Sequence, residues 1–303
     1  MGESKLGEQA ALVALLRARP GGASWAEITA DVLDAGSALA VWHRLVPATL
    51  MDPPGAPDAL EAAAREIIGW AERDCALTTV LDDDYPGRLR AIHQAPPVLF
   101  SRGTLIPGDL AVSVVGSRTA SDRGLGLAAA VARELVARGV SVIAGLAAGI
   151  DTAAHRAALA AGGRTVAVIA TGINRTYPAE NQRLHAEIAA RGLLLSQFWP
   201  DAPPQRHTFL MRNATMSGYG LATVVVEAGE HSGARVQARI AVEHGRPVIL
   251  AGPVVARNEW ARALVARPGV HVADGLAAVL QVVDQLAAER AIVGSELRRL
   301  ASA

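Results

Sequence analysis

Residues 111–118 read AVSVVGSR, an apolar run of β-branched residues that ends abruptly in Gly116, Ser117 and Arg118. A helical pattern begins near Ser121, so this stretch predicts a strand that leads into a helix N-terminus. Unpaired backbone N–H groups and the helix dipole favour phosphate at such a position. Gly116 would allow an anion close to the backbone, Ser117 adds a hydroxyl group, and Arg118 adds a permanent planar cation. The stretch therefore predicts an anion-binding site.

A second glycine turn follows the next strand. The strand predicted at 140–144 ends in Gly145-Leu-Ala-Ala-Gly149. Because the carboxyl ends of neighbouring parallel strands meet at one edge of a sheet, Gly145 and Gly149 are expected to share the anion site. The glycine spacing is not the dinucleotide pattern G-x-G-x-x-G, and no acidic residue ends the strand at 140–144 to bind a ribose. No NAD or other cofactor is predicted.

Strands and helices alternate from residue 105 to about residue 285. Strands are predicted at 111–115, 140–144, 165–170, 193–196, 222–227, 247–251 and 270–273, and helices at 122–138, 152–161, 181–191, 233–244, 258–266 and 275–288. Alternation with almost continuously apolar strands is typical of a parallel sheet covered on both faces. The predicted fold class is α/β, an extended Rossmann-like, mostly parallel sheet with helices on both faces, which binds ligands at the carboxyl ends of its strands.

Three parts are predicted along the 303 residues. Residues 1–75 are expected to form a small helical domain, either a degenerate helix-turn-helix or a SAM-like bundle, with a Ser24/Glu27 capping box and a proline-rich linker at 52–58. Residues 76–288 form the Rossmann-like domain, which begins with an extended approach at 76–104 and a solvated turn at Asp82-Asp83-Asp84. A short helical tail is expected at 289–303.

The composition indicates the compartment. Cys75 is the single cysteine, so disulfides are not expected and a reducing cytoplasm fits. No apolar run reaches the roughly 18–20 residues that span a bilayer, and the N-terminus does not resemble a secretory signal. The formal net charge is zero, but residues 105–285 carry 17 arginines against 13 acidic residues. A cytoplasmic protein without membrane contact is the expectation.

Other polar residues lie near predicted strand ends. Asp151 is expected to cap the helix after Gly149 and to support His155, which lies four residues later on the same face. Asn181 is expected either to cap the following helix or to bind a phosphate. Ser232 is expected to be an N-cap and, with Gly233, to complete the rim of the anion site.

An aromatic residue, a cation and an amide are grouped at residues 209–220, FLMRNATMSGYG, in a segment interpreted as lying near a loop. Phe209, Arg212 and Asn213 together suit single-stranded nucleic acid, because bases stack on rings and phosphates need positive charge. Phe209 would equally fit a core position.

Several short motifs of this sequence together resemble those of a known protein family. The strings VVGSR, GLAAGID-x3-H, TGI-x3-YP-x2-N, F-x2-RN-x3-SG, VVVEA-x3-SG and GRPV, in this order and spacing, resemble the DNA processing protein A family, DprA or Smf. Residues 82–103 are similar to the segment that precedes the Rossmann domain of that family. The resemblance covers roughly residues 80–255.

The resemblance implies a function. Members of this family bind single-stranded DNA without catalysis, protect it, and load it onto the RecA recombinase during natural transformation and DNA recombination. It also implies a homodimer formed by the C-terminal part of the Rossmann domain, where Trp260, Leu264, Leu276, Leu280 and Val283 offer apolar positions. The alternative is that these side chains simply cover the last strands of the sheet. DNA-phosphate roles are implied for Gly116, Ser117, Arg118, Arg212 and Asn213, with base stacking on Phe209. Backbone contacts plus stacking imply little base preference.

The sequence also departs from the family pattern. Leu210-Met211 stands where the family has a proline and a basic residue, Ala214 where it has a further basic residue, and Gln237-Ala238 where it has Thr-Ala. Missing cations weaken binding to phosphates. The alternative prediction is a Rossmann-type protein that binds or hydrolyses a small nucleotide, although the PGGxGT string of such hydrolases is missing.

Overall fold

The computed structural model describes residues 3–46 and 58–301, and nine strands within these ranges form one sheet. The strands are β1 Ala76–Thr79, β2 Val98–Gly103, β3 Ala111–Gly116, β4 Ser141–Ala144, β5 Thr165–Val168, β6 Leu193–Ser196, β7 Ala222–Glu227, β8 Val248–Ala251 and β9 Val270–Ala273. Their order in the sheet is β1-β2-β6-β5-β4-β3-β7-β8-β9. The pairs β1–β2 and β2–β6 are antiparallel and all the other pairs are parallel. The predicted α/β class and mostly parallel sheet are confirmed.

Helices lie before the sheet in sequence and between its strands. They are α1 Glu3–Ala18, α2 Trp25–Ala35, α3 Ala38–Leu45, α4 Ala59–Ala71, α5 Gly87–Arg90, α6 Asp122–Ala137, α7 Ile150–Ala160, α8 Gln182–Arg191, α9 Arg206–Tyr219, α10 Gly233–Glu243, α11 Gly252–Arg257, α12 Glu259–Val265 and α13 Leu276–Ala301. The helix predicted at 275–288 and the predicted tail form one continuous helix, α13. None of the helices in the described ranges is long and apolar enough to cross a membrane.

The position of β3 determines where a ligand can bind. The strand pairs with β4 on one side and with β7 on the other, so the strand order runs outward from β3 through β4, β5 and β6 on one side and through β7, β8 and β9 on the other. In an open parallel sheet this arrangement opens a crevice at the carboxyl ends of the strands. Helices cover both faces, and the strands from β3 to β8 are therefore buried on both sides and largely apolar. The crevice lies beyond Gly116 and Glu227, the last residues of β3 and β7.

Residues 76–104 contribute two strands to the sheet. The sequence predicted only an extended approach there, but β1 and β2 pair with each other and extend the sheet beyond β6. The solvated turn predicted at 82–84 is wrong for Asp82, which is buried and whose Oδ2 accepts hydrogen bonds from Thr79 N (2.7 Å) and Gln9 Nε2 (2.8 Å). Because these bonds hold β1 to α1, Asp82 has a structural role.

The N-terminal helices pack directly against the sheet. The capping box predicted at Ser24 and Glu27 is present at the start of α2. Trp70 of α4 contacts the ring of Phe100 on β2 edge-on, with ring centroids 5.0 Å apart. Helices α1–α4 and the sheet therefore share one hydrophobic cluster. The linker predicted at 52–58 lies outside the described residues except for Asp58, the N-cap of α4.

The surface predicted for self-association is largely core. Trp260 and Leu280 are buried, and the side chain of Val283 is only 1% exposed. Trp260 packs between α12 and the sheet, and Val283 packs with α6 and β8 in a second cluster. Their helical spacing indicated an apolar face correctly, but that face covers the last strands of the sheet. As a dimer surface, these three residues are a wrong prediction.

Candidate functional site

A cleft of about 650 Å³ opens at the carboxyl ends of β3 and β7, between α9 and α10. Eight of the eleven predicted site residues line it: Gly116, Ser117, Arg118, Phe209, Arg212, Asn213, Ser232 and Gly233. Gly145 lines a smaller adjoining hollow that Arg118 and Phe209 also line. The structure therefore brings together residues from four separate segments of the chain at the place where the topology opens the crevice.

Phe209, Arg212 and Asn213 lie on a helix. The interpretation of 209–220 as lying near a loop is wrong, because α9 spans Arg206–Tyr219. At its first turn, Oγ1 of Thr208 accepts a hydrogen bond from the backbone N–H of Gln205 (3.2 Å). Residues spaced three and four apart share a helix face, so Phe209, Arg212 and Asn213 all point to the cleft. This spacing was present in the sequence and would have identified the helix.

Arg212 is an interior cation. Its side chain is 7% exposed, and its Nη1 donates hydrogen bonds to the carbonyl oxygens of Gly145 (2.7 Å) and Val168 (2.8 Å). Its Nε donates to Oδ1 of Asn213 (3.2 Å). Burial lowers the pKa of Arg212, and the charge of Asp151 opposes that shift. Arg212 thus joins the ends of β4 and β5 to α9, while the phosphate role implied for it stays a prediction.

The glycines of the two turns are required by contacts within the protein. A Cβ atom at Gly145 would lie 1.8 Å from Nη1 of Arg212, and one at Gly149 would lie 2.3 Å from the carbonyl oxygen of Ser117. A Cβ atom at Gly116 would lie 2.5 Å from Cγ1 of Ile150. From the sequence, Gly116 is predicted to let an anion approach the backbone. The structure explains this glycine by the close packing of β3 against α7.

The predicted support of His155 by Asp151 is wrong, because the hydrogen bonds of the two side chains go to other residues. The N-cap of α7 is Gly149, and Oδ2 of Asp151 accepts hydrogen bonds from the N–H groups of Gly145 (2.9 Å) and Ala147 (3.3 Å). Burial raises the pKa of Asp151, and the Arg212 guanidinium and these N–H groups oppose that shift. His155 Nδ1 instead lies 2.6 Å from Oγ1 of Thr165. Burial lowers the pKa of His155 to about 3, so its imidazole is neutral and structural.

Asn181 holds the second glycine turn in place. Its Nδ2 donates hydrogen bonds to the carbonyl oxygen of Leu146 (3.0 Å) and to Oγ1 of Thr152 (2.9 Å). Its side chain makes no capping bond at the start of α8, so the capping alternative is wrong. With its amide nitrogen engaged inside the protein, Asn181 is a positioning residue for the 145–149 turn.

The N-terminus of α6 already holds an anion from this chain. Ser121 Oγ accepts a hydrogen bond from Gly124 N (3.1 Å), and the Glu227 carboxylate accepts one from Ser121 N (3.0 Å) across 106 positions of sequence. Gly124 leaves room for that carboxylate, since a Cβ atom there would lie 2.4 Å from its Oε2. The phosphate expected at this helix N-terminus is therefore replaced by a side chain.

The helix N-terminus that opens on the cleft is that of α10. Ser232 is its N-cap, as predicted, and Oγ of Ser232 accepts a hydrogen bond from Ala234 N (3.2 Å). Gly233 is exposed, and nothing lies within 4 Å of the point where a Cβ would be. The first N–H groups of a helix lack intrahelical acceptors, so this end can take an anion. Gln237, one turn farther along α10, also lines the cleft and was missed by the sequence analysis.

Arg118 and Phe209 line both the cleft and the adjoining hollow, and Tyr177 lines the hollow. Arg118 follows β3 and is exposed, and its Cζ lies 5.5 Å from the ring centroid of Phe209. The rings of Phe209 and Tyr177 meet edge-on with centroids 5.6 Å apart. The position predicted for Arg118, at a strand end beside the 145–149 turn, is confirmed by the hollow that it lines together with Gly145 and Ala148.

Comparisons with known proteins agree with this architecture. The sequence profile of the family described as DNA recombination-mediator protein A matches residues 76–290. The DNA processing protein DprA of Streptococcus pneumoniae is 41% identical over 178 residues, which are 56% of this chain and 60% of that protein. The chain spans between 43% and 63% of the lengths of the first curated relatives that it matches.

Solved structures share the fold. The X-ray structure of DprA from Streptococcus pneumoniae superposes with a TM-score of 0.63 at 30% identity, covering 80% of this chain and 90% of that one. A DprA structure from Helicobacter pylori, described by its single-stranded DNA binding mode, gives a TM-score of 0.61 at 22% identity and covers 70% of this chain and 96% of that one. With more than half of its residues matched by the family profile, the chain belongs to the DNA recombination-mediator protein A family.

Proposed function

We propose that this protein binds single-stranded DNA in the cleft between α9 and α10. One observation carries the proposal: an exposed arginine, the ring of Phe209 and an open helix N-terminus converge on a groove of about 650 Å³, and Tyr177 lies in the hollow beside it. The Helicobacter pylori relative, whose structure is described by its single-stranded DNA binding mode, supports the same substrate class.

Some residues of the groove are suited to the phosphates of a DNA strand and others to its bases. Arg118 and the N-terminus of α10 supply charge and N–H groups for phosphates. Phe209 and Tyr177 offer ring faces to unstacked bases, which a duplex cannot present. Since Arg212 is engaged with two carbonyl oxygens, we count Arg118 as the main direct cation.

The proposed function is non-enzymatic. Asp151 and Glu230 are carboxylates that line the cleft, and both accept hydrogen bonds from backbone N–H groups. Held in this way they position loops, which supports binding and not hydrolysis of a small nucleotide.

Partners follow from the family. We propose that the protein protects single-stranded DNA, loads it onto the RecA recombinase during DNA uptake and recombination, and acts in the cytoplasm as a homodimer. A second protomer on the same strand would raise the effective concentration for further contacts, so avidity compensates for a site with few cations.

The affinity for DNA should depend on strandedness and on salt. We expect fluorescein-labelled oligo-dT to bind more tightly than a duplex of equal length, with a log–log salt slope of about −1.4 to −2.8 for two to four phosphate contacts. Fluorescence anisotropy at several salt concentrations measures both. Affinity that is indifferent to salt, or stronger for duplex, would contradict the proposal. A mononucleotide that binds as tightly as the oligonucleotide, or is hydrolysed, would favour the alternative function.

Self-association is expected to use the β9 side of the sheet. β9 is the last strand in the sheet order, and Val272 on it is 45% exposed. We expect sedimentation at micromolar concentration to show a dimer, and Val272→Lys to shift it toward monomer because the lysine would bury a charge at the contact. Val293→Lys, an exposed valine on α13, is the matched control. A wild-type monomer with and without a long oligo-dT would show that the dimer proposal is wrong.

A further inference from the structure

The Gln237 amide is buried at the cleft without a partner. The residue is 1% exposed, and neither its Nε2 nor its Oε1 has a hydrogen-bond partner. Within the described part of the chain, it is the one side chain whose amide nitrogen and oxygen are both orphaned. Buried polar groups are almost always paired in folded proteins. An unpaired amide that lines a cleft therefore indicates a ligand that completes it.

Gln237 lies close to the open end of α10. It is four residues after Gly233, hence on the same helix face, and about 6 Å farther along the helix axis. Both residues line the cleft together with Phe209. A nucleotide whose phosphate lies at Gly233 would therefore place its base near Gln237.

The chemistry of an amide selects the base. A glutamine side chain carries one acceptor and two donor hydrogens side by side. It pairs bidentately with adenine, donating to N7 and accepting from the N6 amino group. Phosphate has no donor for Oε1 when fully ionised, so a phosphate alone would leave half of the amide unpaired.

We infer that the cleft reads one base of the bound strand through Gln237, and that adenine is preferred. This inference rests on the proposed function and deepens it, because stacking and phosphate contacts alone give little base preference.

The test compares oligo-dA with an oligonucleotide of 7-deaza-dA, which stacks in the same way but lacks N7. For the wild-type protein we expect the Kd for 7-deaza-dA to exceed that for dA by about tenfold, within the range of a bidentate contact. In Gln237→Leu, which has no donor or acceptor, the ratio of the two Kd values should fall to about one. Gln285→Leu, an exposed glutamine on α13, should keep the wild-type ratio.

Folding is checked separately. Gln237→Leu should unfold at a higher temperature than wild type, because it replaces a buried unpaired amide by apolar atoms. Gln237→Met, which is unbranched, replaces Gln237→Leu in the test if the leucine variant does not fold.

Equal affinity of the wild-type protein for dA and 7-deaza-dA, or an unchanged ratio of the two Kd values in the Gln237 variants, overturns the inference and leaves the proposed function intact. Failure of the wild-type protein to bind either oligonucleotide overturns both.

Discussion

Replacing Arg212 with methionine is expected to lower the free energy of unfolding by about 3–5 kcal/mol at pH 7, the scale of breaking a buried charge pair by removing one partner. The variant leaves buried Asp151 with only the weaker attraction of Arg118, and it leaves the carbonyl oxygens of Gly145 and Val168 without the Arg212 donor. Urea unfolding followed by circular dichroism measures the loss. Arg156→Met, an exposed arginine on α7, should stay within about 0.5 kcal/mol of wild type.

The pH dependence identifies the cause of that loss. Burial already raises the pKa of Asp151, and removing Arg212 raises it further above the value in the unfolded chain. An acid with a raised pKa favours the folded state at low pH and loses that contribution as the pH rises through its folded pKa. The deficit of Arg212→Met should therefore grow from pH 4 to pH 7. Adding Asp151→Asn should recover part of the stability at pH 7. A deficit that is the same at all pH values would mean that the missing hydrogen bonds alone are responsible.

Replacing Arg118 with alanine is expected to weaken binding of oligo-dT by about 1.5–3 kcal/mol, the scale of a charged hydrogen bond left unmade. This corresponds to an increase in Kd of roughly 10- to 150-fold. Because Arg118 is exposed, the variant should fold with nearly wild-type stability. Anisotropy titration at constant salt measures the change, and the salt slope should become shallower by about 0.7 for each phosphate that the variant no longer binds.

Arg267 provides the matched control for charge. Arg267 is exposed and precedes β9. It therefore lies at the amino ends of the parallel strands, whereas the cleft lies at their carboxyl ends. Arg267→Ala removes the same charge and should leave the affinity for oligo-dT within about twofold of wild type, because exposed charges at that distance are screened. If folded Arg118→Ala binds oligo-dT with wild-type affinity, or if Arg118→Ala and Arg267→Ala lose the same affinity, then Arg118 does not contact the DNA.

Much of the fold could be predicted from the sequence. The alternation of apolar runs with helical patterns predicted the strands from β3 to β9 and the main helices between them, because hydrophobic periodicity reports which faces are buried. Glycine turns after β3 and β4 located the functional edge of the sheet, since ligands bind at the carboxyl ends of parallel strands. The spacing of residues 209, 212 and 213 also indicates one face of a helix, but this segment was predicted to lie near a loop.

The sequence by itself thus determined the strands from β3 to β9, the α/β class and the edge at which the site lies, because these depend on local periodicity and chain connectivity. Only the tertiary structure decided which helix N-terminus is open. Glu227, distant in sequence, closes that of α6, whereas α10 stays accessible at Gly233. It likewise placed Arg212 in the interior and left Gln237 without a partner. Burial and hydrogen-bond pairing arise from contacts between distant segments, and no local pattern of residues contains that information.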